Sequence, residues 1–472
     1  MLMIAKEILQ HHISGDITAL PLEERRRSQV VREKLAQESY DPTRVVSENE
    51  KILQYLSDTP FRSIGQKLVK GEPLTFQEAF LGMTFVVSST NKGIFSELKG
   101  KFQQAHGLLN LDQAQLFGPA QTFLTAMAQR EVTSTLTPEE VAGMVASTMM
   151  DINLRLGFKP YVLETGGMGG DKGFIVDGIK KKVINASTLS AVVLSSIGLP
   201  VVKHGSYANT SAVGSTEAIE ALGVNIYQSS FREIQRLFES TSFYFSDAHV
   251  SKTIHDLSHS PFMRHETINH IIGPMTPPVD KNTILNKIIG VNEGVHPETI
   301  AKAYEELHMR GFQTVGNVIV ISGLGQDFET AINLDDHAEV KPYMMLDELS
   351  PYQTLLGIVQ NSKYVGCFII SPEDFGVSLE ADQIQTVNTQ QELLAANGQA
   401  LQGLSGANSD YLSMNAAIGL FAAEYLGLAN AIKDGQLNSN YLKECFSRCK
   451  QQIDSGQATQ HLMQIVSVSN AT

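Results

Sequence analysis

The stretch Tyr161-Val-Leu-Glu-Thr-Gly-Gly-Met-Gly-Gly-Asp-Lys172 decides the fold. Tyr161 to Glu164 reads as a short strand, and the glycines after it as a loop at its carboxyl end. Asn185-Ala-Ser-Thr188 then opens an apolar helical run from Leu189 to Ile197. Pro200 to Lys203 reads as a second strand, ending in Lys203-His-Gly205, and Thr216 to Leu222 as a helix. Val315-Gly-Asn-Val-Ile-Val-Ile-Ser322 is β-branched with little alternation, as in a strand covered on both faces, and it runs into Gly323-Leu-Gly325. Strands alternating with helices predict an α/β architecture with a mainly parallel central sheet. In such sheets ligands bind outside the carboxyl ends of the strands.

Outward from that core, residues 1–155 read as helix and loop, and 156–472 as the α/β domain. Ile4 to Gln10 and Arg25 to Gln37 are candidate helices. Thr75 is placed to cap a helix, with Glu78 three residues on reaching back to it. Thr137-Pro-Glu-Glu140 repeats the design, with proline at the first helical position. Leu412 to Tyr425 reads as an alanine-rich helix, and the tail beyond Gly456 as weakly structured. The chain of 472 residues has 36 basic and 50 acidic side chains, a net charge of -14, which gives no support to nucleic-acid binding. Its three cysteines, at 367, 445 and 449, suggest neither a disulfide framework nor a zinc site. The opening residues are too short and too soon interrupted for a signal peptide, and no apolar run reaches membrane-spanning length, so a cytoplasmic protein is expected.

The glycine loop, with Thr165, Gly166, Gly167, Gly169 and Gly170, lets backbone N–H groups approach a phosphorylated ligand. It matches neither the Gly-Lys-Ser/Thr phosphate loop nor, cleanly, the dinucleotide pattern. Ser187 and Thr188 sit where hydroxyls and helix N–H groups can donate to phosphate, although an ordinary helix cap gives the same pattern. Lys203 can offset the charge of a diphosphate, or lie exposed in a surface pair. Asp171 suits a ribose hydroxyl or a metal. Asp327 and Glu329, two apart after a strand, can hold Mg²⁺ through waters, or form a solvated acidic loop.

With these residues the chain resembles the anthranilate phosphoribosyltransferase and pyrimidine nucleoside phosphorylase family. Thr165-Gly-Gly is similar to the family's glycine loop, with Glu164 in place of its first glycine. Asn185-Ala-Ser-Thr188 is similar to the family's phosphate grip. Lys203-His-Gly205 with Ser211, Gly214 and Ser215 follows the transferase form. Lys70 to Ala79 is similar to the family's first-domain helix entry, and Asn415-Ala416 to its late helix. The resemblance implies a small helical domain beside a large α/β domain, with part of 257–280 packing on the helical one, and a homodimer formed through the helices. It implies phosphoribosyl diphosphate with Mg²⁺, or inorganic phosphate, as the bound species. Lys203, Asp171 and Ser187 would act on the transferring group. Thr165, Gly166, Gly167, Gly169, Gly170, Lys172, Asn185, Thr188, Gly205 and Ser211 would hold it, and Asp327 and Glu329 would hold the metal.

Several positions depart from the family pattern. Lys180, Lys181 and Lys182 fill a lengthened loop, and Asp171-Lys172 is similar to the phosphorylase version. The cation that would face an anthranilate carboxylate falls on Ser260, the arginine before the family threonine on Glu266, and the family asparagine on His270. Tyr207 stands in place of another arginine. Without a gap, the transferases' acidic metal pair falls on Phe328 and Glu329, with Asp327 as a substitute. These departures point to an acceptor other than anthranilate. They leave open a phosphate-dependent nucleoside or nucleotide phosphorylase and a non-catalytic phosphate-ligand-binding relative.

Overall fold

The computed structural model describes residues 28–35, 54–55, 61–106, 112–152, 155–157, 159–169, 173–176, 179–181, 183–207, 213–252, 254, 268–329, 331–384, 387, 389–423, 432–433 and 436–471. Its helices include α1 (Phe76–Thr90), α2 (Phe117–Val132) and α3 (Pro138–Thr148). Both expected capping boxes close. The Thr75 hydroxyl accepts from Glu78 N at 3.3 Å while the Glu78 carboxylate accepts from Thr75 N at 2.8 Å. Thr137 and Glu140 repeat this, at 3.3 and 2.9 Å. Glu140 also pairs with Arg130 Nε at 2.9 Å and accepts from Leu74 N at 2.9 Å, which ties the start of α3 to the start of α1.

The central sheet has eight strands among the described residues: β1 (Tyr161–Gly167), β2 (Val201–Gly205), β3 (Phe243–Asp247), β4 (Ile284–Gly290), β5 (Val315–Leu324), β6 (Met344–Leu346), β7 (Thr354–Gln360) and β8 (Lys363–Ile370). The order is β8-β7-β5-β4-β1-β2-β3, with β6 pairing on β5. β3, β2, β1, β4 and β5 are mutually parallel, and β6, β7 and β8 add antiparallel pairs. The parallel core follows from continuous apolar runs that both faces bury, such as Val318 to Ile321. One face carries α4 (Ala186–Ser196), whose Leu189, Val192 and Val193 are buried. α5 (Phe231–Thr241) precedes β3; α6 (Asn269–Met275) and α7 (Pro297–Met309) follow, and α3 packs on both of these.

Two expectations need correction. The alanine-rich helix, α9 (Gly406–Ala422), begins earlier than the sequence suggests; α8 (Gln390–Leu401) precedes it and α10 (Ser439–Asp454) follows. The tail beyond Gly456 is not weakly structured but forms α11 (Gln457–Ser469). Gly456, at φ 75°, turns the chain between two helices rather than ending it. Leu462 and Ile465 then bury one face, and the Ser469 hydroxyl accepts from Asn225 N at 3.1 Å. No helix among the described residues is long and apolar enough to cross a membrane.

Candidate active site

At the carboxyl ends of β1, β4 and β5 lies a small cleft lined by Thr165, Gly166, Ser187, Ser190, Asp347 and Glu348, with Ile288 and Ile321 in its wall. The two acids arrive by a detour. After Leu324 the chain leaves the sheet and returns as β6, antiparallel to the end of β5, which lays Asp347 and Glu348 across the strand ends. Three strand-end glycines admit them. A Cβ on Gly167 would meet the Asp347 carboxylate, one on Gly323 the Glu348 carbonyl, and one on Gly290 would coincide with the Asp347 backbone. The Asp347 carboxylate in turn accepts from Gly169 N at 3.1 Å, and the Asn292 amide donates to Gly169 O at 3.1 Å, fixing the start of the glycine loop.

The structure brings some of the sequence-derived site residues together and separates others. Thr165, Gly166 and Ser187 line the cleft, and the Thr165 hydroxyl donates to Ser187 O at 3.3 Å. Gly167 and Gly169 border it through Asp347. Thr188, the third residue of α4, is buried and outside the cleft lining. Asn185 neither caps α4 nor faces the cleft, because its amide donates to Val213 O at 3.3 Å and accepts from Asn397 at 2.9 Å. Gly205 receives the Ser215 and Phe245 side chains. Gly170, Asp171, Lys172 and Ser211 lie outside the described residues.

Asp327 and Glu329 are exposed in the loop after Gly325, away from the cleft. The acids in the cleft are Asp347 and Glu348. A gap-free reading across 326–343 missed them, although two adjacent acids directly after the apolar Met344-Met-Leu346 run were a visible signal.

The opposite face of the same strands carries a buried layer of charge. Glu164 and Lys287 are register partners on β1 and β4, and Lys287 Nζ lies 2.8 Å from the Glu164 carboxylate. His204 Nδ1 is 3.4 Å from the other Glu164 oxygen, and its Nε2 is 3.2 Å from Lys252 Nζ, which also donates to Gly273 O. Burial by itself would raise the Glu164 carboxyl, but Lys287 and then His204 outweigh it and hold the group low. Burial pushes Lys252 down to about 7 despite Glu164, and His204 down to about 3, with Lys252 adding to the effect. Lys203, expected as either a phosphate ligand or an exposed residue, does not belong to this layer. It is the register partner of Thr165, so its side chain lies on the Thr165 side of the sheet, where it is 1% exposed and outside the cleft lining. Burial pushes it down to about 8, although Glu164, Asp347 and Glu348 oppose the shift. The layer of Glu164, Lys287, His204 and Lys252 faces α6, since Lys287 Nζ also donates to Pro274 O at 2.6 Å.

The chain is similar to known proteins in sequence and in fold. Residues 176–459 match the model of the glycosyl transferase family, a/b domain. The anthranilate phosphoribosyltransferase of Pyrococcus furiosus is 29% identical over 352 residues, 73% of this chain and 92% of that protein. The one from Aquifex aeolicus is 26% identical over 340 residues, 71% and 84%. The crystal structure of the Saccharomyces cerevisiae anthranilate phosphoribosyltransferase in complex with PRPP and Mg superposes with a TM-score of 0.61 at 20% identity, over 89% of this chain and all of that one. The Thermus thermophilus structure gives 0.59 at 22%, over 86% and 99%.

Proposed function

The chain belongs to the glycosyl transferase family, a/b domain, and as a pentosyltransferase of that family we propose that it moves a phosphoribosyl group from phosphoribosyl diphosphate to a nitrogenous aromatic acceptor other than anthranilate. One observation carries the reading. A cradle suited to an anion, made of the α4 N-terminus, Ser187 and the Gly166 backbone, faces two carboxylates across one cleft. Carboxylates repel a bound diphosphate unless a divalent cation lies between them, and Mg²⁺ is commonly held by one or two carboxylates plus substrate phosphates. Asp347 and Glu348 would hold that ion, which when bound would neutralise charge on the departing diphosphate. The hydroxyl of Ser187 and the α4 N–H groups stabilise the same developing charge, and the acceptor nitrogen forms its bond to the anomeric carbon as the diphosphate leaves.

The acceptor assignment rests on the missing cation. The position that the resemblance places against an anthranilate carboxylate holds Ser260, the arginine before the family threonine is replaced by Glu266, and His270, at the family asparagine's place, lies 3.5 Å from Glu131. In this reading residues 1–155 form the helical domain and 156–472 the phosphoribosyl-binding domain. Packing of α6 on α3 supports the contact expected from 257–280. The homodimer through the helices is carried by the resemblance.

Calorimetric titration with phosphoribosyl diphosphate, with and without Mg²⁺, tests the donor. Mg²⁺-dependent binding is expected, and no binding at millimolar concentration would overturn the proposal. Diphosphate release with a panel of aromatic amines and nitrogen heterocycles tests the acceptor. Turnover of anthranilate at a rate matching the best of the panel would remove that part of the reading.

A further inference from the structure

We propose that Ser190 contacts the ligand through its hydroxyl, accepting a hydrogen bond from the water shell of the divalent cation at the diphosphate end of the cleft. The inference rests on the reading that Asp347 and Glu348 hold such an ion. Ser190 is 2% exposed, lines the cleft with both acids, and its hydroxyl has no hydrogen-bond partner. A serine inside a helix ordinarily bonds back to a carbonyl of the preceding turn. Two others in α4 do so: Ser195 donates to Val192 O at 3.0 Å, and Ser196 to Val193 O at 2.6 Å. Ser190 does not.

Its position fits a role toward the ligand. It follows Ser187 by three residues, so the two hydroxyls lie on one helix face, one turn apart. The other polar groups of that wall are already engaged. Thr165 donates to Ser187 O, and Asn415 accepts from Leu349 N at 3.1 Å and donates to Tyr411 O at 2.9 Å. Ile288 and Ile321 offer no polar atom on a side chain. Leaving a buried hydroxyl unpaired costs a folded protein about 1–3 kcal/mol. A hydrated Mg²⁺ keeps several waters whose protons need acceptors, and Ser190 Oγ supplies one.

The test is binding of inorganic diphosphate with Mg²⁺, followed by calorimetry and by thermal shift in the absence of turnover. Ser190→Ala should leave the melting temperature of the ligand-free protein unchanged or raised, because it deletes an unsatisfied group. It should weaken Mg²⁺–diphosphate binding about three- to tenfold, and leave diphosphate binding without Mg²⁺ unchanged. Ser195→Ala should do the reverse, lowering the melting temperature while binding like the wild type. Wild-type affinity in Ser190→Ala overturns the inference. So does a stability loss in that variant without a ligand effect, and so does an equal loss with and without Mg²⁺, which would put the hydroxyl on the anion. If the wild type binds no diphosphate under any condition, the functional reading falls and this inference with it.

Discussion

Replacing Lys252 with methionine removes a buried ammonium while keeping most of the side chain's length. Its consequence for stability depends on pH in a direction fixed by proton linkage. The slope of unfolding free energy with pH follows the protons held by the unfolded chain minus those held by the folded chain. An unfolded lysine titrates near about 10.4, whereas burial brings Lys252 down to about 7 in the fold. Between those values the unfolded chain keeps the proton and the folded chain gives it up. Wild-type stability therefore rises with pH in this window. Integrated from about pH 7 to about pH 9, Lys252 alone contributes on the order of 2 kcal/mol. Lys203, pushed to about 8, adds to the rise.

Cys367 and Cys445, pushed up to about 12 by burial, oppose it toward the alkaline end, but they are common to both proteins and cancel in the difference. Lys252→Met also takes a donor from Gly273 O, a loss of about 1–3 kcal/mol that does not vary with pH. Urea unfolding at three pH values, followed by far-ultraviolet circular dichroism since the chain has no tryptophan, measures both slopes. The variant's stability should rise by about 2 kcal/mol less than the wild type's over that range. Parallel curves would mean that Lys252 keeps its proton in the fold, and the account of the buried layer would be wrong.

Exchanging Asp347→Asn together with Glu348→Gln should lower Mg²⁺-dependent affinity for phosphoribosyl diphosphate by about 100-fold or more, whereas Asp327→Asn with Glu329→Gln should change it by less than about twofold; calorimetry on the two double variants separates the cleft acids from the exposed ones. Gly290→Ala forces a methyl into the Asp347 backbone and should cost about 2–4 kcal/mol in urea unfolding. Gly100→Ala, in the helix Lys92–His106 with open space around it, should instead stabilise by about 0.5–1 kcal/mol.

How far the sequence carried can be followed residue by residue. Helix starts were legible because a capping box is local: Thr75 with Glu78 and Thr137 with Glu140 need only a fixed spacing. The parallel strands were legible because burial on both faces leaves a continuous apolar run. Ser187 could be placed in the cleft because it opens the helix that follows a strand ending in glycines. Asp347 and Glu348 could not be placed from such signals. Their position depends on β6 returning to pair with Gly323 and Leu324, a tertiary event that the local pattern around Asp327 does not reveal. Asn185 misled for a similar reason, since the group that claims its amide, Asn397, is more than two hundred residues away. Lys203 was readable as one of two things, a ligand or a surface lysine, and it is neither exposed nor in the cleft lining, because β2 is buried on both faces.

Glu164 and Thr165, adjacent on β1, explain why this one strand bears on both the ligand and the helical layer. Successive side chains of a strand point to opposite faces. Thr165 therefore meets Ser187 on the cleft side, while Glu164 meets Lys287 and His204 on the side of α6. The family pattern has glycine where Glu164 stands, and a carboxylate there is tolerable only with buried cations to match it. Lys287 supplies one in direct register, and the His204 ring lies against the other carboxylate oxygen at 3.4 Å. Single removal of Glu164 or Lys287 would strand a charge in the interior, at a cost of several kcal/mol, whereas loss of both together is far less costly. The acid at 164 and the lysine at 287 thus form one unit. It joins β1 to β4 three residues before Gly167 and Gly290, the glycines over which Asp347 lies, so the charge layer and the acidic end of the cleft share the same two strands.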